Sequence, residues 1–409
     1  MRRGATRLLA ACVISLVALP GVSAVASAAE RYVVIVSGAA GSSEIAEQHA
    51  AWRTALVTSL QDKLQMPAER LIVLIDKSTT PSASGARPAT PGAPGAPTGV
   101  SAITLNPPSG GPGGAGGGRP NSSGGLGAPG APVVAGAGGA AAAASAAADA
   151  ARSAEIDKRA IAATRDNVRA TLTKLAQDMK REDVVLIILF GHSTFDGVDA
   201  KFNLVGPDLE ATEWERLVNA LPGRVVFVNT TAASAPFMKR LASNGRVVIT
   251  ATDNPAQRYQ TVFPEFFSQA FEAADVDLDK DGRVSIWEAF AYASQQVKQY
   301  YRQRGQLSVE RPVLDDTGDG VGKESGEPGP DGSIASRTFL DNSDDPGTGT
   351  GPALSELINR RNQLEADFDD LKRKRTFMPA GDYEKSRDQL LIEISRISHE
   401  IRLEQRKRS

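Results

Sequence analysis

The sequence predicts an α/β fold, a parallel sheet covered by helices on both faces. Two observations predict it. Short runs that are almost entirely apolar and rich in Val and Ile recur along the chain. Each is followed by a stretch whose apolar residues fall at helical spacing, the pattern of strands buried on both sides and joined by helical crossovers.

The 409 residues allow two or three domains. Lys and Arg number 46 against 48 Asp and Glu, a net charge of −2. That balance gives no electrostatic reason to expect nucleic acid as a partner.

Residues 1–29 read as an export signal. Arg2, Arg3 and Arg7 precede an apolar run from Leu8 to Leu19, and Ala24-Val25-Ala26-Ser27-Ala28-Ala29 supplies small residues for cleavage. The run is too short to span a bilayer. An uncleaved anchor and a lipid on Cys12 are the alternatives. All three place the chain outside a cytoplasm, periplasmic or secreted. No later run approaches a spanning helix, so no stable membrane span is expected after cleavage. Cys12 is the single cysteine, which excludes disulfides, cysteine-ligated metals and a cysteine nucleophile downstream.

Residues 30–274 carry the α/β pattern. Strands are expected at 32–37 (YVVIVS), 71–75 (LIVLI), 183–190 (DVVLIILF), 224–228 (RVVFV) and 246–250 (RVVIT). Helices are expected at 43–65, 153–180, 213–221, 236–243 and 265–274. Residues 78–150 interrupt this order with a Pro/Gly/Ala-rich tract whose apolar content is too low to offset ordering entropy, and a disordered insertion is expected there, with its Ala-rich end, 138–151, able to form helix and extend the one that follows.

Residues 277–288 read DLDKDGRVSIWE. This fits the twelve-residue EF-hand calcium loop. Asp277, Asp279 and Asp281 supply carboxylates at positions 1, 3 and 5, and Gly282 permits the sharp turn. Arg283 offers its backbone carbonyl, Ser285 a hydroxyl, and Glu288 two oxygens at position 12. A hard cation preferring six to eight oxygens suits that set, and Ca2+ is the expected cofactor. With flanking helical patterns, residues 263–304 form an EF-hand-like helix-loop-helix. A second loop begins at Asp315 but reaches Gly326 at position 12. Residues 305–352 are therefore expected as a flexible linker with a degenerate second loop.

Residues 353–409 carry two heptad seams: Leu354, Leu357, Leu364, Phe368 and Leu371, then Tyr383, Leu390, Ile394, Ile397 and Ile401. Arg361 interrupts the first seam and Arg387 the second, and Pro379-Ala380-Gly381-Asp382 breaks between them. A helical hairpin or a coiled-coil pair is expected, closing on itself, self-associating or binding another protein.

His192 directly follows the 183–190 strand, and the next strand runs into Asn229-Thr230-Thr231-Ala232-Ala233-Ser234. With the strand–helix order of residues 32–274, these positions resemble the caspase/legumain-like superfamily of cysteine peptidases. The resemblance implies a caspase-like parallel sheet, with His192 as general base. Thr231 stands where the nucleophilic Cys falls, Ser234 lies close by, and Ser193 replaces the Gly that follows the family's His. A hydroxyl beside an imidazole is a far weaker nucleophile than a thiolate. The expected function is an exported calcium-binding protein on an inactive peptidase scaffold, acting as a binding or interaction module. The alternative is a hydrolase using His192 with Thr231 or Ser234. The remaining histidines, His49 and His399, are expected on helix surfaces.

Overall fold

A computed structural model describes residues 29–78, 137–257, 259–273, 275–327, 329–341 and 352–407. Most of the export signal, most of the insertion and residues 342–351 of the linker lie outside them. The fold is α/β. Its central sheet has seven strands: β1 (Arg31–Ser37), β2 (Leu71–Ile75), β3 (Ile161–Ala162), β4 (Val184–Phe190), β8 (Arg224–Asn229), β9 (Val247–Thr250) and β10 (Val313–Asp315). Their order is β10-β9-β8-β4-β1-β2-β3. All neighbours are parallel except β10, which runs antiparallel along β9. A second, three-stranded antiparallel sheet is formed by β5 (Ser193–Phe195), β6 (Ala200–Phe202) and β7 (Leu209–Glu210).

Strand pleating explains why the runs are apolar throughout. Val33 and Ile35 of β1, with Leu186 and Ile188 of β4, face one layer. Val34 and Val36, with Val185 and Ile187, face the other. The first face is covered by α1 (Ser43–Asp62), α6 (Phe263–Gln269) and α7 (Ile286–Gln303), through Trp52, Leu56, Phe263, Phe267 and Phe290. The second is covered by α3 (Arg165–Asp178), α4 (Ala211–Asn219) and α5 (Ala235–Leu241), through Val168, Leu172, Trp214 and Phe237. Each buried side chain of this size contributes roughly 1.5–3 kcal/mol, which makes the sheet the rigid platform of the molecule.

Three expectations need correction. The single helix over 153–180 is two, α2 (Ala137–Arg159) and α3. Between them Ile161 and Ala162 pair with Leu74 and Ile75, and Thr164 caps α3 by accepting from the Asn167 N–H. The expected linker is structured over the described residues 310–327 and 329–341. It contains β10, and Asp316 accepts three backbone bonds, from Gly332, Ile334 and Ala335, at 3.0, 2.7 and 2.9 Å. Finally, α6 stops at Gln269, short of the expected 274, so the helix entering the acidic loop is only seven residues long.

At the C-terminus α8 (Pro352–Lys374) and α9 (Ala380–Arg406) form a hairpin with a small core of Leu354, Leu364, Ile397 and Ile401. Among the described residues no helix is long and apolar enough to cross a membrane.

Candidate metal centre

The loop 277–288 lies between α6 and α7, at the end of the helical layer that covers the first sheet face. Its backbone is folded by its own carboxylates. Asp277 accepts from the Asp281 N–H through Oδ1 at 3.1 Å and from the Gly282 N–H through Oδ2 at 2.8 Å. Asp279 Oδ1 accepts from Asp281 at 3.1 Å, and Asp281 Oδ1 from Arg283 at 2.8 Å. These bonds curl the chain inward. The curl needs a left-handed turn at Gly282, whose φ is +81°, a conformation glycine adopts without steric cost.

Carboxylate oxygens of Asp277, Asp279 and Asp281 come within 4.8 Å of one another. A cation that binds oxygen at 2.3–2.6 Å bridges groups at that spacing, and the donors are hard oxygens suited to Ca2+ or Mg2+. The three aspartates thus fit a divalent ion. Crowding shows at Asp279. Desolvation and the carboxylates of Asp281, Glu288 and Asp277 push the Asp279 carboxyl up to about 7, with Arg361 pulling the other way. Half of that side chain still reaches solvent, which screens the repulsion.

Glu288 and Ser285 act at the junction with α7. Ser285 Oγ accepts from the Glu288 N–H while Glu288 Oε2 accepts from the Ser285 N–H, a reciprocal capping box. Glu288 Oε1 reaches back to the N–H of Leu278 at 2.8 Å. Glu288 therefore ties the start of the loop to the helix that follows, and it is not one of the three converging carboxylates. The Arg283 side chain turns away from the loop, pairing with Asp341 (Nε to Oδ2, 2.9 Å) and stacking on the Phe339 ring at 3.8 Å. Ser285 also forms an antiparallel bridge with Phe339.

The degenerate loop at Asp315 has a similar start. Asp315 accepts from Gly318 and Gly320, both at 2.8 Å. Among the described residues, the only group of three or more acidic or imidazole side chains converging as ion ligands is the first one. Asp316 is occupied structurally, as above.

Sequence reasoning assigns no role to Arg361, although its place in an apolar seam is the signal. It is 3% exposed. Its Nη2 lies 2.5 Å from Asp281 Oδ2 and its Nη1 3.1 Å from Asp279 Oδ2.

The second candidate site gathers at the carboxyl ends of the strands. His192 follows β4 and is exposed. Thr231 and Ser234 follow β8 and are 1% and 0% exposed. Thr231 Oγ1 donates to Asn229 Oδ1 at 2.8 Å. Ser234 Oγ shares a bond with Thr252 Oγ1 at 3.1 Å and accepts from the Thr252 N–H. Both hydroxyls serve the loop around them, and no hydrogen bond joins either to His192. The ring near His192 is His49, with centroids 6.3 Å apart. His49 is not on the surface as expected. It is 3% exposed on α1 beside Trp52. Desolvation, His192 and Arg53 push it down to about 4, with Asp76 opposing, so it is neutral near pH 7. It lines a cleft with Ser37, Arg53 and Asp76.

No family model matches the chain, and no curated protein does. Among solved structures it is similar to a Geobacter sulfurreducens protein from a structural genomics programme. That match has a TM-score of 0.29 and 13% identity, and covers 44% of this chain and 79% of the other. Similarity at that level assigns neither fold nor function.

Proposed function

We propose that this chain is an exported calcium-binding protein whose α/β domain is a catalytically silent caspase/legumain-like scaffold, and that it works as a binding or interaction module. The observation that carries the reading is the convergence of Asp277, Asp279 and Asp281 in a loop closed by Gly282 and by the Ser285–Glu288 capping box. The residues that would hold the ion are those three aspartates, the Arg283 carbonyl, Ser285 and Glu288. The ion would offset the mutual repulsion of the carboxylates and stiffen the approach to α7. The burial of Thr231 and Ser234, with both hydroxyls engaged, supports the silent-scaffold part.

Calorimetric titration with calcium tests the metal part. Calcium at a hundredfold excess over its dissociation constant should stabilise the fold by about 2.7 kcal/mol. Asp277→Asn and Glu288→Gln should each remove most of that gain. A melting curve that calcium and chelator leave unmoved overturns the reading. A hydroxyl-directed covalent probe should label neither Thr231 nor Ser234. Labelling lost in Thr231→Ala or Ser234→Ala would restore the hydrolase.

A further inference from the structure

A guanidinium in the seam of a helical hairpin is costly unless its charge is met. The charge of Arg361 is met outside the hairpin, on two of the three carboxylates that converge in the loop. The loop's own turns use Oδ1 of Asp279 and Oδ1 of Asp281. The guanidinium takes Oδ2 of both. Glu365, one turn along α8, lies 3.5 Å from Nε without a hydrogen bond to it. Among the described residues, these charged contacts tie α8 directly to the loop, with Arg361 and Asp281 both almost fully buried.

We propose that Arg361 is a built-in counter-cation that competes with the divalent ion for Asp279 and Asp281, so that ion binding loosens the hold of the loop on the C-terminal hairpin. The proposal rests on the metal reading and adds its regulation. Two cations that share the same carboxylates weaken each other's attraction, and burial makes the effect larger than it is at an exposed pair. The coupling is reciprocal: whatever Arg361 takes from ion affinity, the ion takes from the docking of α8. At low ion concentration the hairpin is held against the loop. At high concentration the loop releases Arg361 and its hold on α8 weakens.

The test uses the mature full-length chain and calcium alone. Calcium affinity is measured by calorimetry in wild type and in Arg361→Gln, and amide hydrogen exchange of α8 is followed in wild type with and without calcium. The expected result is about tenfold tighter binding in the variant and faster exchange across residues 354–371 of wild type when calcium is added. Equal or weaker binding in the variant, or slowed exchange of α8 in wild type, overturns the proposal. Should Arg361→Gln fail to fold, Arg361→Lys replaces it. It keeps the charge but cannot bridge both carboxylates in a fixed fork, and tighter calcium binding is again expected. Failure of wild type to bind calcium at all defeats the metal reading and this proposal together. Binding with no coupling defeats this proposal alone.

Discussion

Glu310 shows how much a single position can carry. It is 1% exposed and accepts from the N–H groups of Val262 and Phe263 at 2.9 and 2.7 Å, closing the start of α6. Burial pushes its carboxyl up to about 7, against the opposing effect of those bonds and of Tyr301. The folded chain therefore holds this proton more tightly than the unfolded chain does. The resulting stability is complete below the ordinary glutamate range and is lost as pH rises through about 7. Glu310→Gln should flatten that loss, removing on the order of 3 kcal/mol of pH dependence between about pH 5 and pH 8, read from denaturant melts across that range. Asp316 belongs to the same class. Asp316→Ala strands three N–H donors, two of them buried, and should cost about 2–3 kcal/mol in the same assay. Neither residue stood out in the sequence, because burial and backbone partners are set by segments far along the chain. Asp277, Asp279, Asp281 and Gly282 did stand out, because an acidic loop of this kind is a local pattern whose turns are folded by its own side chains.

Among the elements, the long strands were legible and the short ones were not. Runs such as VVLIILF are apolar on both pleat faces, and no other element of that length reads the same way. Ile161–Ala162 and Val313–Asp315 are too short to carry a period, and they are strands only because β2 and β9 offer them an edge. The hairpin was legible from its heptads, yet Arg361 looked like a flaw in the seam. Its partner lies in another element, which spacing along one helix cannot show. The seam itself makes a prediction. Leu364 and Ile397 are 3% and 5% exposed in a core of four buried residues. Ile397→Ala should destabilise the hairpin by about 2–3 kcal/mol, the lower part of the range for such truncations, because a small core relaxes easily. Faster hydrogen exchange confined to α8 and α9 is the expected readout.

Across the whole molecule, the acidic loop stands between two bodies of unequal strength: the large two-faced sheet domain and the slender hairpin. Order in residues 310–327 and 329–341 joins them more closely than a flexible linker would. The Gly- and Asp-rich composition that suggested a linker serves instead the tight turns at Gly318, Gly320 and Gly332, each with positive φ. The bridge between Ser285 and Phe339 has a last consequence. It gives the loop's exit a backbone pairing within its own chain, through a single bridge. Under the proposed reading, a chain with one such ion site titrates with a hyperbolic isotherm and a Hill coefficient of one. Such a molecule reports the ion's concentration by degrees and has no threshold at which it flips.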